Sequence, residues 1–395
     1  MNIKSKDIYE RFFGGGKDNQ DLFCAEIRES DENSKWTEIT INQCELVDLG
    51  LPMERMTNDV GKLYHLDEEL VEDTAENGTR LMLLGEGIPF LVRRAALPSI
   101  FQTAKLNGSA LGKMDPLRLA QTINNGFAVG SGKALALERY GKLSACHSAG
   151  EGGYAIMPIP ELCDIAIKEL EEKFGYIEMD NAYHSHEYSR ATWQLVDAQS
   201  AMMSKYQSVL QKYMEQEHIP MYMPAARFSS SDTANSCATL EPVFLTNEGS
   251  ELRFTAGVSI KHKRAPAGEL QPMDAFQQGC KELFAKFDES IEMMEELAKR
   301  EVYHAENFVI SVCKKLKIAK KYGEAARDYA ECLAAGRAYV DGHSMYLAMT
   351  NIISSAKEYG ASGRTLLELD EKISQIPTLD WAEHDVGGTV AWSDK

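Results

Sequence analysis

The chain has 395 residues, 44% hydrophobic and 26% charged, with 60 Asp and Glu against 42 Lys and Arg for a formal net charge of −18. This apolar content supports a sizeable buried core and excludes wholesale disorder, while the acidic field repels phosphate backbones on average and disfavours a nucleic-acid binder that uses its whole surface. Apolar runs such as Leu81–Leu84 and Ile88–Val92 fall far short of the ~18–20 residues that span a bilayer, and the start MNIKSKDIYERFFGGG has no apolar run before a small-residue cleavage site. No membrane segment or signal peptide is therefore expected, and a cytoplasmic setting follows. The eight cysteines (Cys24, Cys44, Cys146, Cys163, Cys237, Cys280, Cys313 and Cys332) include no C-x-x-C pair, so reduced, mostly core thiols are expected rather than a structural zinc site.

Along the chain, residues 1–66 read as a leader interrupted by Gly14, Gly15 and Gly16, followed by strands in KWTEITINQCELV. Residues 67–270 read as an α+β body. It opens with an acidic helix over Asp67–Glu76, and a second helix starts at Asp115-Pro116, where Asp caps free amides and Pro suits the first turn, and ends near Asn125-Gly126. Strands follow at Ala134–Glu138 and Lys142–His147 around a Tyr140-Gly141 turn. Cys163, Ala166, Ile167, Leu170 and Phe174 then form one apolar helix face that opens at Pro160 and stops at Gly175. Further strands are predicted at Tyr176–Met179 and Ala191–Val196, a helix over Ala198–Gln216, and a loop over the Pro-, Ser- and Asn-rich stretch 220–237. Thr239–Thr246 and Glu251–Ile260 read as strands joined by an Asn247-Glu248-Gly249 turn.

From 271 to 376 the character becomes helical. Phe276, Cys280, Leu283, Phe287, Ile291, Met294 and Ala298 recur at intervals of three and four, a heptad-like seam for packing on another helix. Later helices are predicted over Ala305–Lys317, Glu324–Val340, Met345–Tyr359 and Arg364–Ile376, and residues 377–395 read as a tail. The fold class is thus α+β, a mixed or antiparallel sheet body with a helical C-terminal region.

The candidate motifs are few. Gly126 to Lys133 imitates a phosphate loop, but five residues rather than four separate Gly126 from Gly132 and Ala134 replaces the hydroxyl residue, so it reads as a glycine-rich turn. His184 and His186, two apart in YHSHE, point to one face of a strand, an arrangement that suits a metal; Glu187, His147 or His218 are the candidates for a third ligand. Ser229, Ser231, Asp232 and Asn235 read as turn builders or phosphate contacts. No hydrolase or metalloprotease signature occurs, no catalytic residue is assigned and no cofactor is called for. Two basic clusters stand against the acidic background: Lys261, Lys263 and Arg264 after a strand, with His262 between, and Lys314, Lys315, Lys317, Lys320 and Lys321 within one helix and its end. Side by side they would make a groove for phosphates; apart they are solvated surface charge.

Three stretches carry a family resemblance: Gly141–Ser148 (GKLSACHS) with Gly153–Ile156 and the helix from Pro160; Arg227–Phe244 (RFSSSDTANSCATLEPVF) continuing through Phe254–Val258 into Lys261–Arg264; and the helices from Asp274 to about Ile376. Over roughly residues 130–376 the chain resembles the phage/plasmid-like protein family known as domain of unknown function 932. It departs from that pattern where Phe254-Thr255-Ala256-Gly257 replaces a Cys-Thr-Asn-Gly step. The resemblance implies a mobile-element origin and a cytosolic setting, and brings no active-site residues. The leading expectation is an accessory protein of DNA metabolism that binds or anneals single-stranded nucleic acid through Lys261, Lys263, Arg264, Lys314, Lys315 and Lys317, as a homo-oligomer assembled through its helices. The alternatives are a non-enzymatic protein that blocks a host defence complex with its acidic surface, and a metal-dependent enzyme built on His184 and His186.

Overall fold

The computed structural model describes residues 2–50, 63–108, 110–198, 201–202, 204–205, 222–233, 236–246 and 251–392. The chain enters through β1 (Glu10–Phe13) and α1 (Lys17–Glu32), and β1 joins a sheet formed much later in sequence. The first sheet to close is local. Its strands β2 (Ser34–Thr40), β3 (Cys44–Asp48), β4 (Leu81–Gly85), β5 (Ile88–Val92), β6 (Lys133–Arg139) and β7 (Lys142–Ser148) lie in the order β2-β6-β7-β5-β4-β3, with β5 and β7 parallel and every other pair antiparallel. Tyr140 (φ 50°) and Gly141 (φ 75°) make the β6–β7 connection, the left-handed pair that matches strand twist in a two-residue hairpin.

Among the described residues, three helices cover this sheet. α2 (Glu68–Glu76), capped by the Asp67 carboxylate, sets Val71 against Met82 and Leu91. α3 (Leu97–Thr103) and α4 (Pro116–Ala128) press Ile100, Leu119, Ile123 and Phe127 onto Ile39, Leu83, Phe90, Val92 and Ala136. The Asp115 side chain accepts from the Arg118 amide at the start of α4, so the predicted cap is present, while the helix runs two residues past Gly126.

After α5 (Ile159–Phe174) come β8 (Glu178–Ser185), β9 (Ser189–Gln194), β10 (Tyr222–Ser230), β11 (Ala238–Thr246), β12 (Glu251–Leu252) and β13 (Val258–Ile260). They form an antiparallel seven-stranded sheet in the order β1-β8-β9-β10-β11-β12, with β13 also on β11. Strand alternation divides its residues. Ala191, Trp193, Tyr222, Ala226, Phe228, Leu240 and Phe244 face one large core built with α1, α5, α6 (Pro272–Cys280), α7 (Leu283–Lys299), α8 (Ala305–Lys315), α9 (Lys320–Ala334), α10 (Gly342–Glu358) and α11 (Gly363–Ile373). Arg190, Thr192, Arg227, Ser229, Thr239 and Glu241 take the alternate positions and make the opposite face polar. A two-stranded ribbon, β14 (Glu301–Val302) with β15 (Val340–Asp341), ties the helical region together.

The α+β class is what the sequence indicates; the details depart from expectation in instructive places. The loop predicted at 220–237 contains β10, which has partners on both edges, because the odd residues that make it look polar are absorbed by the polar sheet face. The leader contains α1, whose buried apolar Phe23, Cys24 and Ile27 are interrupted by the buried polar Gln20, Glu26 and Ser30, which blurs the helix face in the sequence. The heptad-like seam is buried but breaks at Lys281-Glu282, and α7 packs on β11 as well as on α10. Val340, placed in a helix by the pattern, lies in β15. The tail folds back: Trp381 is buried against Phe308 at 4.6 Å, and the Asp385 carboxylate accepts from the amides of Tyr303 (2.9 Å) and His304 (2.7 Å). Most of the helix predicted over 198–216 and the turn at 247–249 lie outside the described residues.

Phe228 sits fully buried in the central strand, edge-on to Phe276 at 6.3 Å. Phe228→Ala is expected to cost about 3–5 kcal/mol by removing its contacts and leaving a cavity. A urea denaturation midpoint unchanged from wild type would contradict this placement of the core.

Candidate functional site: a polar cleft between the sheets

A cleft of about 1110 Å³ runs along the polar face of the seven-stranded sheet. Its walls are the N-terminal segment Asp7–Glu10, the turn after β7 (Ser148 to Tyr154), the inner face of α11 with Arg364, Glu368 and Asp370, and the segment after β13 with Lys261 and Lys263. Two constructions shape it.

The first is a stack of rings where the sheets meet. Tyr154 lies flat on His147 (centroids 3.9 Å apart, planes 5° apart) and nearly parallel to His262 (5.4 Å, 17°), with the half-buried Trp36 at 5.5 Å. The stack is pinned by hydrogen bonds. His147 Nε2 donates to the Asp232 carbonyl (2.7 Å), Tyr154 Oη meets His262 Nδ1 (3.1 Å) and His262 Nε2 meets Ser230 Oγ (3.3 Å). Beside it the buried Arg139–Asp232 ion pair (2.7 Å) and the Tyr154–Lys263 bridge join the two sheets. Burial disfavours the charged imidazolium, pulling His147 down to about 4 and lowering His262.

The second is an ion network on the sheet face. Arg227 pairs with Glu241 (3.0 Å), Glu251 (3.0 Å) and Asp370 (2.8 Å); Arg253 pairs with Glu241 (2.5 Å); Arg190 pairs with Glu251 and reaches Asp370 at 3.6 Å. Burial alone would raise the Glu251 carboxyl, but Arg190 and Arg227 overcome it and bring it down to about 2. Burial likewise opposes the Arg227 charge, and Asp370, Glu241 and Glu251 outweigh it. Among the described residues the network is electrically closed: three guanidiniums, three carboxylates.

The structure separates the sequence-predicted site residues. Lys261 and Lys263 border the cleft, and Arg264 follows them, its amide donating to the Gly153 carbonyl (2.9 Å); all three side chains are exposed, with no ion pair to a described residue. Lys314, Lys315 and Lys317 do not line the cleft. They end α8, where Lys314 Nζ donates to the Ala391 carbonyl (3.0 Å) of the returning C-terminal segment. The two basic clusters therefore do not both line this cleft.

His184 and His186 do share a side, both against Tyr9, but they serve as buried hydrogen-bonding groups. His184 Nδ1 meets Ser189 Oγ (2.8 Å) and His186 Nε2 donates to the Lys6 carbonyl (3.2 Å). Burial holds His184 at about 3 and His186 well below the ordinary value, and among the described residues no group of three His, Cys, Asp or Glu is placed to hold a metal. Gly126 lies within α4, where an added Cβ would fall 2.5 Å from the Ala104 carbonyl oxygen, so close helix packing rather than phosphate requires it. Ser231 Oγ accepts from the Thr233 amide (3.2 Å), the turn expected of that serine run.

Neither the ring stack nor the ion network was among the sequence candidates. The network did leave a trace: charged and polar residues at Arg190/Thr192/Gln194, Arg227/Ser229 and Glu251/Arg253 alternate with period two, marking a polar sheet face. No family model, curated protein or solved structure matches this chain.

The buried histidines predict a pH response. His147 and His343 near 4 and His184 near 3 stay neutral in the fold, while an unfolded chain protonates histidine around 6.5. Between these values the unfolded state binds more protons, so stability present above about pH 6.5 is lost as pH falls toward 4, by up to about 1.4 kcal/mol per histidine per pH unit. The buried Asp7 and half-buried Glu187 carboxyls, both raised in the fold, oppose this. Thermal unfolding at constant ionic strength should show the melting temperature falling through this window. A flat profile would contradict neutral burial of the three rings.

Proposed function

We propose that the chain is an accessory protein of DNA metabolism, of the phage/plasmid type its sequence resembles, and that its cleft binds single-stranded nucleic acid. One observation carries the reading: the exposed, unpaired Lys261 and Lys263 border the cleft beside the Tyr154–His262 stack. Single strands are held without sequence preference by cations that follow the phosphates and by aromatic faces that receive bases; here the lysines supply the cations, and His262 is the partly exposed ring of the stack, His147 and Tyr154 being buried. The net charge of −18 disfavours phosphate contact over most of the surface, so the binding is expected to be local. Lys314, Lys315 and Lys317 contribute at most a second contact away from the cleft.

Labelled oligothymidylate titrated by fluorescence anisotropy at several salt concentrations tests the reading. K261E/K263E/R264E should weaken binding by at least about tenfold and lower the log–log salt slope by about two, the share of three phosphate contacts on a single strand. K314E/K315E/K317E should change the affinity far less. Absence of salt-dependent binding by the wild-type chain, or equal loss in both triple variants, would remove the cleft as the binding site.

A further inference from the structure

On the polar face of the seven-stranded sheet, among the described residues, Arg190, Arg227 and Arg253 meet two carboxylates from strands, Glu241 and Glu251; the third counter-charge, Asp370, comes from α11. One oxygen of Asp370 lies 2.8 Å from Arg227 Nη1 and 3.6 Å from Arg190 Nη1, and so bridges the two guanidiniums. The Arg227 side chain is 4% exposed, whereas that of Asp370 is 22% exposed and lines the cleft. The buried Arg190 Nε–H has no hydrogen-bond acceptor among the described residues. The sheet's own groups are thus three cations against two anions, with a spare buried donor, and an oxyanion reachable from the cleft completes them. An oxyanion bridging two planar guanidinium forks is the arrangement by which arginines hold phosphate.

We propose that Arg227, in the wall of the cleft, and Arg190 beside it form a phosphate-binding site, which Asp370 fills from within the chain. Access needs only rotation of the Asp370 side chain, because the helix is held independently by the buried Leu369 and Ile373. Glu368 and Glu371 on the same helix also border the cleft and work against an entering anion, so the site is masked while Asp370 is charged. The ligand is a phosphate group, either free or at the end of a strand. The second source rests on the single-strand reading of the cleft; the first does not.

Asp370→Asn keeps the side chain's size and removes its charge. With inorganic phosphate at constant ionic strength, wild type should show no specific rise in melting temperature, while D370N should rise by several degrees and bind phosphate about tenfold more tightly by calorimetry. D370N/R190Q should lose that gain, which separates this site from Lys261 and Lys263. Asp370→Ala is the second variant. Should either substitution destabilise the fold, phosphate must restore its melting toward wild type, which a purely structural ion pair would not bring about. No phosphate response in both variants, or a response that survives R190Q, overturns the site. Oligothymidylate with and without a 5′-phosphate distinguishes the sources: preference of D370N for the phosphorylated end assigns the strand, and equal binding alongside the phosphate response assigns a free phosphate ligand. Failure of the single-strand reading shows separately, as no strand binding by any of these proteins while the phosphate response remains.

Discussion

The ion network of Arg190, Arg227, Arg253, Glu241, Glu251 and Asp370 is the constraint around which the second half of the molecule is arranged. Taking charges out of water costs several kcal/mol per ion, recovered only when partners are close and remaining donors and acceptors are met. Asn181 and Thr192 supply such contacts by donating to Glu251 at 3.2 and 3.1 Å. A network of this kind contributes less to net stability than an apolar layer of equal volume. Its effect is on geometry: a one-residue slip of β10 would turn Arg227 into the hydrophobic core and Phe228 out of it. The strand register, the seat of α11 and the polarity of the cleft wall are thus fixed together.

The junction between the sheets follows a different logic. Among the described residues one close ion pair, Arg139–Asp232, lies beside the ring stack, and burial lowers both histidines of that stack. Stacked neutral rings combine apolar contact with hydrogen bonds at their edges, so His147 and Tyr154 bury area while satisfying the Asp232 carbonyl. The consequence is local: Lys263 is held by backbone pairing to Tyr154, so the basic turn is fixed relative to the aromatic face instead of swinging free.

Much of this was legible in the sequence where local chemistry decides structure. Asp67 and Asp115 cap their helices, Gly175 (φ 76°) ends α5, and Tyr140-Gly141 turns the β6–β7 hairpin. The sequence was least legible where tertiary context overrides local pattern. α1 buries Gln20, whose carbonyl oxygen accepts from Trp193 Nε1 at 3.1 Å, and Glu26, which pairs with Lys4; neither residue marks an apolar face. β10 carries Pro224, Arg227 and a serine run that suggest a loop, yet its polar side is matched by charges from β9, β11 and α11. The candidate site divides in the same way. Exposed lysines are visible as a run of like charge, but whether two runs share a surface depends on packing that no local signal encodes.

That division also explains how an acidic protein can carry a basic mouth. At physiological ionic strength the field of exposed charge is screened within about 8 Å, so the net charge of −18 does not by itself set the potential at a given point. What matters there is which nearby charges are already neutralised. On the sheet face every guanidinium is matched by a carboxylate, and on α11 Arg364 is engaged by Glu187 (3.2 Å) and Glu368 (3.1 Å). Lys261, Lys263 and Arg264 have no such match among the described residues, so local excess positive charge collects where Lys261 and Lys263 line the cleft, while Glu368, Asp370 and Glu371 of α11 line it as well. A polyanion entering the cleft is thus attracted at the mouth and opposed along α11, a polarity that favours engagement by an end or a short segment over passage of a long strand through the cleft.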